Sequence, residues 1–229
     1  MNFKIFAIII VSIALSGCAT PQIPLSKQAQ SNIDRVEGIF IIPQNNLDVT
    51  VQATEGGSGG FLGVLLAAAL DSARQSSAQK AAAPMLEPLR GYDFRTVMLD
   101  ASNDALTKID KVRFEMPLRV NVVASDSARR IALDKSTASA LLFCHVNYRL
   151  ELGNLIVTAN AEMYPKINTL KQFRSKPDES NTLDIGNVIY KNTFTFSKQA
   201  VTPANIQESL TEAAANIAHQ LATDLNHGL

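Results

Sequence analysis

Polar and apolar positions alternate most regularly between residues 142 and 163. Leu142, Cys144, Val146, Tyr148, Leu150 and Leu152 share one parity; Phe143, His145, Asn147, Arg149 and Glu151 share the other. A period of two marks a half-buried strand, because successive side chains leave a strand on opposite faces. Gly153-Asn154 then offers a two-residue type II′ loop, with glycine first. The return strand carries Leu155, Val157, Ala159, Ala161 and Met163 on one face. Setting Leu152 opposite Leu155 pairs the two apolar sets, whereas a slip of one residue would bury Asn and Glu.

The same alternation predicts further strands. Leu47, Val49 and Val51 alternate with polar residues after the β-rich "IFII" and the turn Pro43-Gln44-Asn45-Asn46, giving two strands joined by a turn. Val188, Tyr190, Phe194 and Phe196 share parity, and another strand is expected near Leu118 to Val123. Helical spacing takes over elsewhere. Thr202 as N-cap and Pro203 at the first helical position open a stripe of Ile206, Leu210, Ala213, Ile217, Leu221 and Leu225, which Gly228 ends. A second helix opens at Asp93 and turns Phe94, Val97, Met98, Ala101, Ala105 and Ile109 inward; a short one covers Ser127 to Leu133, with Ser125-Asp126-Ser127 as its start. Amphipathic helices need a sheet face to cover. The expected fold class is α+β, a mixed and mainly antiparallel sheet with amphipathic helices packed on one face.

The N-terminus follows a different pattern. Lys4 precedes an apolar run from Ile5 to Leu15 broken only by Ser12. That run falls well short of the roughly 20 residues of a membrane-spanning helix and matches the apolar region of a signal peptide. Leu15-Ser16-Gly17-Cys18, at its end, resembles the lipobox of bacterial lipoproteins. The resemblance implies cleavage before Cys18, diacylglycerol on its thiol and a further acyl chain on the new amino terminus. Several acyl chains make a stable anchor where one does not. Ala19 stands where inner-membrane relatives carry a retention Asp, so the resemblance implies an outer-membrane location on the periplasmic side. Residues 1–17 are then signal peptide. Residues 18–35, polar with two prolines, read as a flexible tether of about 20–25 Å root-mean-square span. Residues 36–229 form one periplasmic domain that includes a Gly/Ala-rich helical segment, 56–90.

The element order from Asp93 onward, with "STASALLFCHVNYRLELGN" leading into the hairpin and a helix from Thr202 closing the chain, resembles a small periplasmic domain. That domain occurs in the curli-secretion lipoproteins, in the activator lipoproteins of penicillin-binding proteins and at the amino terminus of the Tol-system propeller protein. The whole chain also resembles uncharacterised outer-membrane lipoproteins of proteobacteria. These resemblances imply an envelope role and supply no activity.

Charge and cysteine narrow the picture. The chain carries 21 Lys and Arg against 21 Asp and Glu, and Lys4 leaves with the signal. A balance so near zero argues against nucleic acid, which requires a basic field. Of the two cysteines, Cys18 is committed to lipid, so Cys144 has no partner for an intramolecular disulfide. With no Trp and 6% aromatics, the core is expected to be aliphatic.

Motifs that carry chemistry are sparse. "EGGSGGFLG" sits between a strand and a helix, but Val64 and Leu65 follow Gly63 where a phosphate loop needs Lys and Ser or Thr, and the dinucleotide spacing requires Gly at Leu62. In the expected register His145 lies opposite Glu162, an arrangement that suits a general base with its orienting carboxylate or a charge pair on a wet sheet face. No nucleophile-elbow Ser accompanies it. His219 and His227 lack metal-ligand spacing, and Cys144 reads as a small buried hydrophobe. No catalytic residue, cofactor or metal is expected. Gly59, Gly63 and Ala67 recur every four residues, the spacing that lets helices approach closely. The run Phe61 to Leu70 is too short to span a bilayer. Either it packs into the core behind a glycine hinge, or Gly59, Gly63 and Ala67 form a contact face for self-association, a partner helix or the membrane surface. The reading is a lipid-anchored, non-catalytic envelope accessory protein. A carrier or sensor of an apolar ligand is the alternative, and a hydrolase with an unrecognised site a further one.

Overall fold

The alternating stretch folds as a long antiparallel hairpin around which the other elements are arranged. A computed structural model describes residues 22–50, 80, 82–122, 125–175 and 187–228. Chain order gives α1 (Lys27–Ser31), β1 (Val36–Ile41), β2 (Asp48–Thr50), the helical residues 82–86 (α2), a 3-10 turn (Glu87–Leu89) and α3 (Phe94–Leu106). There follow β3 (Phe114–Asn121), α4 (Asp126–Lys135), β4 (Ala140–Glu151), β5 (Asn154–Pro165), α5 (Asn168–Lys171), β6 (Tyr190–Lys198) and α6 (Ile206–His227). The strands form one sheet in the order β3-β1-β4-β5-β6, with β2 also paired to β4. The long pairings β4–β5 and β5–β6 are antiparallel, and the shorter pairings of β1 and β2 are parallel. This is an α+β fold with a mixed sheet.

The hairpin forms with the predicted faces but a different register. Leu150 pairs with Leu155 and Glu151 with Asn154, so the loop is Leu152-Gly153. Both loop residues have positive φ, 51° and 81°. That is the type I′ geometry, whose twist matches the flanking strands. The shift from the expected Leu152–Leu155 pairing is two residues, which leaves every side chain on its predicted face. A period of two cannot distinguish registers that differ by two. Leu152 is left at the tip, 51% exposed.

β1 and β2 both pair in parallel with β4, in line along the same edge. Between them the chain leaves the sheet, and the Gln44 side chain fills the gap. Its amide donates to the Tyr148 carbonyl at 3.0 Å and accepts from the Tyr148 amide at 2.9 Å, the two bonds a strand residue would make. Arg95 on α3 fixes the same loop by donating to the carbonyls of Ile42, Pro43 and Gln44 and to Asn45 Oδ1.

The two long helices, α3 and α6, cover one face of the sheet. Phe94, Met98 and Leu106 from α3 and Ile206, Leu210, Ile217, Leu221 and Leu225 from α6 pack there against β4 and β5. Asp93 caps α3 through the Arg95 amide at 3.0 Å, as its position predicts. Ser102 also lies on the α3 stripe, its hydroxyl donating to the Met98 carbonyl at 2.7 Å. Gly38 on β1 is required beneath this layer, since a Cβ there would lie 2.5 Å from Leu118 Cδ2. The short α4, capped by Ser125, sits on the other face, with Ala132 and Leu133 against Ile39, Ile41, Leu141, Phe143 and Tyr164. Chain geometry accounts for the split. The β1–α3–β3 connection steps one strand one way, and β3–α4–β4 steps back over β1. Crossovers of one hand that move in opposite directions must use opposite faces.

Two boundaries differ from expectation. α6 begins at Ile206 with Asn205 before it, because the Asn205 side chain accepts from the Thr202 amide at 2.8 Å and closes a separate turn first. Residues 22–35, expected to belong to the tether, are docked on the domain. Ile23 pairs with Lys191 at the start of β6, Leu25 and Ala29 are buried, and Ser26 caps α1. The signal was present as Leu25, Ala29 and Ile33, an apolar residue every four positions. Cys18, Gly59, Gly63 and Ala67 lie outside the described residues. Among the described residues no helix is long and apolar enough to cross a membrane.

Candidate functional sites

Polar side chains converge on the sheet face opposite α3 and α6. Residues of one parity on β4, β5 and β6 form rows there: Phe143–Glu162–Lys191, His145–Asn160–Thr193 and Asn147–Thr158–Thr195. Glu162 is the hub. It accepts from the Tyr164 hydroxyl at 3.0 Å and is paired with Lys191 at 3.1 Å and Arg129 at 3.4 Å. The Arg129 guanidinium also lies 5.8 Å from the centroid of Phe143. These contacts fasten α4 and β6 to the central hairpin.

His145 therefore faces Asn160 and not Glu162, the direct consequence of the two-residue shift. No hydrogen bond joins His145 to Glu162 among the described residues, and the His145 Nε2 atom is buried without a partner. Burial, and then the Arg129 charge, hold the imidazole below its ordinary pKa against the opposing pull of Glu162. The base and orienting carboxylate considered for this pair are not assembled. Tyr164 is pushed up, first by burial and then by Glu162, so its phenol keeps its proton and serves as a donor.

Cys144 is fully buried on the helix-covered face, and burial pushes its thiol up to about 12. Nearby, Asp224 of α6 accepts from the Tyr190 hydroxyl at 2.6 Å and the Asn192 amide at 2.9 Å, a polar tie between α6 and β6. His219 and His227 lie on α6 beside a surface groove of about 380 Å³ shared with α3. His227 Nδ1 is engaged with the Thr223 carbonyl at 2.7 Å. Among the described residues no cluster of three His, Cys, Asp or Glu can hold a metal ion.

A larger cleft, about 470 Å³, opens between the β1–β2 loop, residues 82–92 and the first turns of α3 and α6. Leu47, Val49, Leu86, Phe94, Tyr148 and Leu210 line it, with Asp48, Glu87 and Arg90 among the polar lining residues. Its volume lies in the range of small-molecule pockets, roughly 300–1,000 Å³. The Phe94 and Tyr148 rings stand 4.5 Å apart, and Tyr92 shares a 3.1 Å hydrogen bond with Thr211. Burial pushes both tyrosines above their ordinary pKa, so the cleft offers neutral phenols and apolar surface. Sequence reasoning missed Gln44 and Arg95, which shape this cleft by holding the loop. Side chains that substitute for a strand or clamp a loop leave no periodic signal.

No protein-family model matches the sequence, and no curated protein is significantly similar to it. Solved structures with a likeness to it include the PelC dodecamer of Paraburkholderia phytofirmans, 10% identical over 90% of this chain and 94% of that one, with a TM-score of 0.33. A Xanthomonas campestris protein of family DUF330 is 11% identical over 89% of this chain and 86% of its own, with a TM-score of 0.33. At that level of superposition neither neighbour assigns a role to this chain.

Proposed function

We propose that this chain is a lipid-anchored accessory protein of the outer membrane, facing the periplasm, that acts through contacts with another envelope protein or the cell wall and not by catalysis. The observation that carries this reading is the junction between Cys18 and the fold. The lipobox-like Leu15-Ser16-Gly17-Cys18 ends four residues before Gln22, and the next residue, Ile23, already exchanges backbone hydrogen bonds with Lys191. An acylated Cys18 holds such a domain close beside the membrane, which suits a protein that works by contact. Crosslinking in intact cells tests it. Wild type is expected to capture one recurrent envelope protein, a second copy of itself or cell-wall fragments, and the unanchored Cys18→Ser chain to lose that product. Equal capture by both forms, or no adduct from either, contradicts the reading.

The apolar cleft supports a second reading, a carrier or sensor of an apolar ligand. Its test is native mass spectrometry of the purified protein. A retained lipid that Leu86→Trp expels supports this reading, and a ligand-free protein counts against it.

A further inference from the structure

One end of the domain gathers the docked N-terminal segment and a set of exposed cations. Ile23 and Lys191 exchange backbone hydrogen bonds of 2.8 Å in both directions, and Gln30 donates to the Leu225 carbonyl in the last turn of α6 at 2.8 Å. The Asn226 side chain accepts from the amides of Asp110 and Lys111, and the Arg113 carbonyl accepts from the Val36 amide. α5 joins the same end through buried Leu170 and the Ser175–Val188 backbone bond. Lys27, Lys111, Arg113 and Lys171 are exposed. Asp34 and Glu115 share the single cation Arg35, and Asp34, Asp110 and Asp134 are exposed; with exposed Lys135 counted beside these four cations and Arg35, the named residues keep a net excess of two positive charges. Ile167, on the turn between β5 and α5, is 38% exposed. Four residues of chain reach back from Gln22 to Cys18, at most about 14 Å at roughly 3.3–3.6 Å per residue.

We infer that this end is a membrane-contact surface, which seats Lys27, Lys111, Arg113 and Lys171 on anionic phospholipid headgroups with Ile167 at the interface. The inference rests on the lipid-anchor reading. Charge complementarity and the short reach to Cys18 select a lipid surface as the occupant. β4 starts at this end and runs 12 residues away from it, about 40 Å at roughly 3.4 Å per residue. The hairpin tip is therefore held toward the periplasm.

The test uses full-length, processed protein in vesicles of phosphatidylcholine with or without phosphatidylglycerol. Thr169→Cys reports on the basic end and Thr202→Cys on the hairpin end; both positions are exposed, and Cys144 is buried. With a fluorophore on each and a quencher on lipid headgroups, quenching at Thr169 is expected to exceed that at Thr202 several-fold in anionic vesicles. The excess should shrink without phosphatidylglycerol, in the Lys27→Glu, Lys171→Glu double variant, and in about 1 M salt, where screening acts within roughly 3 Å. Equal quenching at the two positions, or an excess unaffected by lipid charge and the double variant, overturns the contact surface while flotation with vesicles upholds the anchor. Protein that fails to float, with neither label quenched, overturns both.

Discussion

The two faces of the hairpin are built from the same residues in alternation, yet they differ in kind. On one face Leu142, Cys144, Val146, Tyr148 and Leu150 of β4 and Leu155, Val157, Ala159, Ala161 and Met163 of β5 are buried along the whole length. On the other, burial is graded. Leu141, Phe143 and Tyr164 lie under α4, the His145–Asn160–Thr193 row is half-buried, and beyond it Arg149 is exposed. The first face is held by continuous apolar burial and the second by one short helix and the charge cluster around Glu162. Strand parity states which residues share a face; how far along that face a helix reaches is set by connectivity.

The comparison breaks most readily at Leu150. It is 2% exposed in the continuous core, so Leu150→Ala should cost about 2–5 kcal/mol in denaturant unfolding. Gly38→Ala should follow, at about 1–3 kcal/mol by overpacking, because Leu118, only 3% exposed, must move to admit the methyl group. Arg129→Ala, on the graded face, should cost less than Leu150→Ala, since Lys191 and Tyr164 still satisfy Glu162. Losses at Arg129 equal to those at Leu150 would mean that the graded face is as much a core as the other.

A smaller effect is visible in pH. His145 is held below its ordinary pKa in the folded state, so on acidification the unfolded chain takes up a proton first. Stability should fall as pH drops through about 6.5 and level off below the folded value. His145→Asn should remove that part of the pH dependence, and identical profiles for the two proteins would contradict the assignment. Arg149→Ala, at the exposed end of the same face, should stay within about 0.5 kcal/mol of wild type.

Much of this division was legible in the sequence because it follows from local periodicity. The α+β class, the hairpin faces, the Asp93 and Ser125 helix starts and the buried Cys144 all come from spacing within one element. What escaped depends on partners remote in the chain. The true register, Leu150 opposite Leu155, is degenerate with the expected one by parity. The side of α4 follows from strand order, which no single segment encodes. Gln44 stands in for a strand against Tyr148, 104 residues away. The N-terminal segment was readable in part, since Leu25, Ala29 and Ile33 recur every four residues around the Ser26 cap, but prolines at 21 and 24 suggested a tether. The candidate acid–base pair failed for the same reason as the register, because moving the loop by two residues takes His145 from Glu162 to Asn160.

The anchor is the claim on which the orientation of both faces depends. It is tested most directly by feeding cells an alkyne-tagged fatty acid, then separating membranes by flotation for wild type and Cys18→Ser. Wild type should carry the tag, run at the mass of the chain beginning at Cys18 plus its acyl groups, and float with the outer membrane. Cys18→Ser should carry no tag and be found unprocessed or soluble. Tag-free wild type, or a Cys18→Ser protein that floats with outer membranes at normal yield, would contradict the account.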